Sequence, residues 1–188
     1  MNLQRCGKLL VFGIVVSAWT TTVRAADEGT AGQTQEVLMK LHQSNQMEIA
    51  VGKMAQDKGQ SKDVKSFGKT LVTDHTAADK KVMALAKQEK INLPGNEPMP
   101  QDNMDKIHSA SGSDFDKMFA AEMLDDHKKA IADVQSARES TSDAKLKTLL
   151  SQLQPVLEKH RDIAQKLNDK YGPSASAAST NAAPADSK

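Results

Sequence analysis

Five side chains combine metal-ligand chemistry with positions that helix spacing turns inward: Glu48, His75, Glu122, His127 and His160. Imidazole and carboxylate suit zinc, iron, manganese or copper. Two of the histidines stand in related surroundings. Phe67 to His75 reads FGKTLVTDH and Phe119 to His127 reads FAAEMLDDH, each opening on Phe and closing on Asp-His. Phe and His are eight residues apart in both, a little over two helical turns, so they fall near one stripe. The stripe runs on through Ala78, Val82 and Leu85 in the first segment, and through Ala130, Val134 and Ala137 in the second. Both histidines are expected to face a core, and matching places in a pseudo-repeat would let them face each other. Asp74 and Asp126 immediately precede them and are expected to form structural polar pairs. The implied cofactor is a divalent transition metal, with redox or hydrolytic chemistry available if a coordination position stayed open.

A plainer reading competes with this one. Partly buried histidines are common, and an Asp-His pair at an apolar face can hydrogen-bond across a bundle. A di-iron site of the ferritin kind needs Glu-x-x-His on two helices. The residues three before His75, His127 and His160 are Val72, Leu124 and Leu157, so that pattern is missing. A mixed His/Glu site for one ion survives, and the sequence favours the structural reading over it. His42 and His108 read as surface histidines. The methionines, among them Met47, Met54, Met83, Met118 and Met123, show no clustered copper motif.

Four helical stripes position these residues. The first begins near Thr34, a possible cap, and runs through Leu38, Leu41, Glu48, Val51 and Ala55. The second starts at a Ser61 cap and carries Val64, Phe67, Leu71 and His75. A link with Pro94, Gly95, Pro98 and Pro100 follows, then a short helix near Met104 to Ala110. Ser113 or Asp114 could cap the third long helix, and Ser142 the fourth. The fourth carries Leu146, Leu150, Leu153, Leu157, His160, Ala164 and Leu167, and its apolar register continues through Pro155. Gly172-Pro173 ends it. The expected fold is all-α: an antiparallel four-helix bundle over 34–172, built as two hairpins with a short extra helix between them.

The 188 residues carry 25 basic and 24 acidic side chains, with 38% hydrophobic and 3% aromatic content. No basic field invites nucleic acid. Residues 1–25 have the three parts of a secretory signal peptide: Arg5 and Lys8, the apolar run Leu9 to Trp19, and Val23-Arg24-Ala25 before the expected cut. Cleavage removes three basic residues and Cys6, leaving a mature net charge of −2 and no thiol. Residues 26–33 read as a flexible lead, and 173–188 as a disordered tail too poor in apolar residues to fold. These features place the mature protein in the periplasm, without a transmembrane segment.

The sequence resembles the bacterial exported family DUF4142. The resemblance rests on Glu48-Ile49-Ala50, Val64-Lys65-Ser66-Phe67 with Asp74-His75, Leu93-Pro94, Phe115-Asp116 with Met123 and Asp126-His127, and Pro155 with His160. It implies export and a ferritin-like bundle, and supplies no reaction. The function expected from sequence is that of a non-enzymatic periplasmic bundle, active in envelope stress or in contact with an envelope protein, with homodimerisation open. The alternative is a transition-metal-binding bundle with a His/Glu site.

Overall fold

The structure, a computed structural model, describes residues 22–95 and 105–172. Most of the expected leader, the middle of the proline-containing link and the expected tail lie outside the described residues. Within them the chain is all-α: α1 Thr22–Lys58, α2 Lys62–Gln88, the short α3 Asp105–Ser109, α4 Gly112–Ser140 and α5 Ala144–Tyr171.

Cross-helix contacts give the directions. Asn45 meets His75 and His42 meets Asp79, so α1 and α2 run antiparallel. Lys145 meets Glu89, His160 meets Asp74 and Lys170 meets Asp63, so α5 is antiparallel to α2. Glu48 lies beside His127 while Gln33 bonds Ser140, so α4 is antiparallel to α1. Hence α2 and α4 are parallel and diagonal. The segment between them must return along the bundle, a distance of about 40 Å for the 27 residues of α2 at 1.5 Å each. One long crossover between two short-looped hairpins is the ferritin-like connectivity. The expected four-helix bundle with a short extra helix between hairpins is what forms.

The apolar stripes bury two clusters. One, near the α1–α2 turn, holds Val51, Val64, Phe67, Leu71, Phe115, Phe119, Met123 and Leu167. The other, toward the α4–α5 turn, holds Leu38, Val82, Leu85, Val134, Leu146, Leu149, Leu150 and Leu153. Each turn is tied by a carboxylate. Buried Asp116 of α4 accepts from the backbone N–H of Gln60 at 2.9 Å and of Ser61 at 2.7 Å. Asp143 accepts from Lys145 and Leu146 N–H at the start of α5 and from the Thr34 hydroxyl at 3.0 Å.

Several local expectations change. Helix α1 begins at Thr22, so 26–33 is helical where a flexible lead was expected, and Thr34 sits inside the helix instead of capping it. Alanines favour that extension. Tertiary contacts hold it, since Thr30 Oγ1 lies 3.0 Å from Ser142 Oγ and Gln33 donates to Ser140 Oγ at 3.2 Å. Helix α4 starts at Gly112, whose φ of +60° suits glycine, and Ser113 and Asp114 fall in its first turn. Asp143, not Ser142, caps α5, because a carboxylate there serves two N–H groups and Thr34 together. Ser61 caps α2 as expected, accepting from Val64 N–H at 3.2 Å. Pro155 stays inside α5 on its exposed face, where water can satisfy the carbonyl left without its donor.

Helices α1 and α2 cross closely at two glycines. A Cβ on Gly68 would lie 2.6 Å from the Gly52 carbonyl oxygen and 2.8 Å from Ala55 Cβ, whereas one on exposed Gly32 would meet nothing within 4 Å. Gly68→Ala should therefore destabilise by about 1–3 kcal/mol through overpacking, outweighing a helix-propensity gain of about 1 kcal/mol. Gly32→Ala should show that gain alone. Urea midpoints for the two variants should move in opposite directions.

Candidate metal centre

Between the two apolar clusters lies a layer of polar side chains. His75, His127 and His160 are 4%, 1% and 0% exposed, and Asn45, Glu48, His42 and Asp79 are buried with them. The three histidine rings form a triangle, with centroids 5.9 Å apart for His75–His127 and 5.2 Å for each pair involving His160. Phe67 closes one side, its ring 5.9 Å from His160 and 6.4 Å from His127. The Phe of the first repeat thus packs against histidines of the other hairpin. One ring nitrogen from each of the three histidines lies within 4.8 Å of one from each of the others.

Each ring is fixed by one hydrogen bond to an oxygen. His75 Nδ1 is 2.9 Å from Asn45 Oδ1, His127 Nδ1 is 2.9 Å from the Met123 carbonyl, and His160 Nε2 is 2.9 Å from Asp74 Oδ2. An oxygen acceptor requires the facing nitrogen to carry the proton. In the neutral imidazole the other nitrogen then bears a lone pair. Those other nitrogens, His75 Nε2, His127 Nε2 and His160 Nδ1, are buried and have no hydrogen-bond partner. Three buried lone pairs thus have no protein donor. Leaving a buried polar atom unpaired costs about 1–3 kcal/mol, so together they cost on the order of the marginal stability of a domain.

The electrostatics agree. Burial, with the neighbouring His160 and His127, pulls His75 down to about 3. Burial takes His127 down to about 4, against the opposing pull of its bond to Met123. Burial also lowers His160, partly offset by Asp74. All three are neutral, ligand-ready imidazoles at neutral pH. Glu48 is raised to about 8 by burial and then by Asp126. Asp126 is raised to about 6 by burial, Glu122 and Asp125.

The residues proposed from sequence divide cleanly. His75, His127 and His160 come together. Glu48 borders them, with Oε1 3.9 Å from His127 Nδ1, on the ring edge opposite the inward nitrogen, so it is a neighbour of the triangle and not a fourth corner. Glu122 is exposed and stands apart, since five residues of helix before His127 turn it well away from the inner face. Asp74 makes a polar pair, with His160 of another helix. Asp126 lines the cleft beside α1 and does not repeat that role. His42, expected at the surface, is 3% exposed and 2.7 Å from Asp79, which also accepts from Gln46. His108 is exposed. Asn45 was missed. The signal for it lay in the spacing of His42, Asn45 and Glu48, three polar residues continuing the inner stripe that Leu38 opens and Val51 resumes.

A four-helix bundle with a preorganised three-histidine cluster is the class of protein that fold and site define. The chain belongs to the family described as Domain of unknown function (DUF4142), whose model matches residues 20–167. No curated protein and no solved structure matches the chain.

The protonation pattern sets a pH dependence. A histidine with its folded-state pKa below its unfolded value stabilises the fold above the unfolded value, and that contribution is lost as pH falls through the window. For His75 and His127 the window runs from the ordinary 6.5 down to about 3 and 4. Glu48 acts oppositely, its contribution fading as pH rises from the ordinary 4.5 through about 8. Asp126 opposes them likewise, from the ordinary 3.8 through about 6, so the histidines act unopposed only below pH 3.8. The urea midpoint of metal-free protein should fall between pH 6.5 and 4, and His127→Leu should remove part of the fall. Glu48→Gln should raise stability above pH 8.

Proposed function

We propose that this protein is an exported bundle that binds one divalent transition metal ion through His75 Nε2, His127 Nε2 and His160 Nδ1. The observation that carries the reading is the convergence of three buried nitrogens without partners, each on a ring already anchored through its other nitrogen. Metal-ligating histidines are held in this way by outer oxygens that set tautomer and orientation. Asn45, the Met123 carbonyl and Asp74 serve that role here. A tetrahedral ion with bonds of about 2.0–2.1 Å needs ligand nitrogens roughly 3.3 Å apart, so each ring closes in by less than about 1 Å. Imidazole donors suit zinc, copper, iron and nickel.

The donor set contains no Glu-x-x-His, so the reading is of one ion and not a ferritin-type pair. His75 borders a cleft open between α1 and α4, which gives an ion a way in and out and suits exchange. The three-part leader at 1–25 supports export to the periplasm. Cleavage after Ala25 would leave the contacts of Thr30, Gln33 and Thr34 in place. No helix among the described residues is long and apolar enough to cross a membrane.

Protein beginning at Ala26 and purified without tag or chelator should hold one zinc or copper ion per chain by elemental analysis. His75→Ala with His127→Ala should abolish binding while circular dichroism keeps most of its helicity. Asn45→Ala or Asp74→Asn should weaken it roughly 10–100-fold. His127→Leu separates ligand from core residue: it removes an unpaired buried atom, so metal-free stability should hold or rise while metal is lost. Collapse of that variant, or no ion bound above micromolar affinity, would return the histidines to a packing role.

A further inference from the structure

The neighbouring helices α1 and α4 touch only sparsely along their length. Between them runs a cleft of about 650 Å³, from Gln33 and Ser140 at one end to Glu48, Asp74 and Asp126 at the other. At 1.5 Å per residue along α1 it is roughly 20 Å long. Leu41, Val134, Leu153, Val156 and Leu157 give it apolar walls. Its inner end is acidic. The cleft's two lysines are already engaged, Lys40 with Glu36 at 2.6 Å and Lys129 with Asp133 at 2.7 Å. Among the described residues, no lysine or arginine is salt-bridged to Glu48, Asp74 or Asp126. Glu48 is 8% exposed and its Oε2 has no hydrogen-bond partner. A long apolar trough closing on Asp74, Asp126 and the buried Glu48, with Lys129 acting on Asp126 only at longer range, is complementary to a cation carried on a hydrocarbon chain.

We propose that this cleft binds an aliphatic amine, its chain against the apolar walls and its ammonium head among Glu48, Asp74 and Asp126. The ammonium supplies three donors, where Glu48 Oε2 has no partner and Asp74 and Asp126 offer further carboxylate oxygens. Its chain covers apolar surface that the α1–α4 contact leaves open. A carboxylate-headed chain of the same length meets like charges at the inner end. This site shares Asp74 with the histidine cluster, where that carboxylate holds His160, and its walls and other carboxylates are its own.

The test is calorimetric titration of metal-free protein with decylamine, decanoate and decanol, each below its aggregation concentration. Decylamine should bind once per chain, at least about tenfold more tightly than decanoate or decanol. Glu48→Gln with Asp126→Asn should weaken the amine by about tenfold or more. Ala130→Phe fills the cleft from α4 without touching a ligand residue, and should abolish amine binding while the equilibrium affinity for zinc is kept, even where exchange slows. Equal affinity for decanoate, binding indifferent to Ala130→Phe, or no saturable binding of the amine would overturn the proposal. Loss of zinc binding from the histidine variants would leave it untouched.

Discussion

The structure turns on a group of imidazole nitrogens that the fold buries and leaves without a protein donor. His75, His127 and His160 come from three helices, and each is oriented by an oxygen on its far side. A bundle could seal this level with leucines, as it does above and below. It instead interrupts two apolar clusters with a polar layer whose unmade hydrogen bonds cost free energy. Much of the remaining architecture opposes that cost: long helices, well-filled clusters on both sides, and turns tied by Asp116 and Asp143.

The anchoring bonds also determine what the layer can do. With the outer nitrogens donating, the inner ones are acceptors only, so the histidines cannot satisfy one another. Burial keeps them neutral, and mutual charge repulsion reinforces that state. Three such acceptors, close together, could hold a cation with vacant coordination positions. Asp126 adds negative potential nearby, and the buried Glu48 accepts its position by holding its proton to a higher pH than usual.

Connectivity makes this arrangement possible. The short turns pair α1 with α2 and α4 with α5, and the long crossover makes α2 and α4 diagonal. That placement lets His127 reach the histidines of α2 and α5, while the less tightly packed α1–α4 side remains open as a cleft. The same looseness gives the inner carboxylates and His75 a route to solvent that a uniformly packed bundle would close.

The sequence by itself determined the elements and their inward faces. Leu38, Val64, Phe67, Phe119, Leu150 and Leu167 stand where the helical period put them, and the repeated Phe-to-Asp-His segments correctly marked His75 and His127 as core-facing. Periodicity acts over a few turns within one helix, so it places a residue on a stripe without saying what stands opposite. Only the tertiary structure decided that Asn45 holds His75, that Asp74 holds His160 across the hairpins, that Glu48 borders the triangle, and that Glu122 is outside it. His42 shows the limit: it looked like a surface residue because the partner that makes its burial tolerable, Asp79, lies on another helix. Likewise 26–33 looked flexible because the groups that hold it are at the α4–α5 turn, far away in the chain. Helix faces are local physics; the pairing of polar atoms across faces depends on the register of packed helices, which no single stretch of sequence contains.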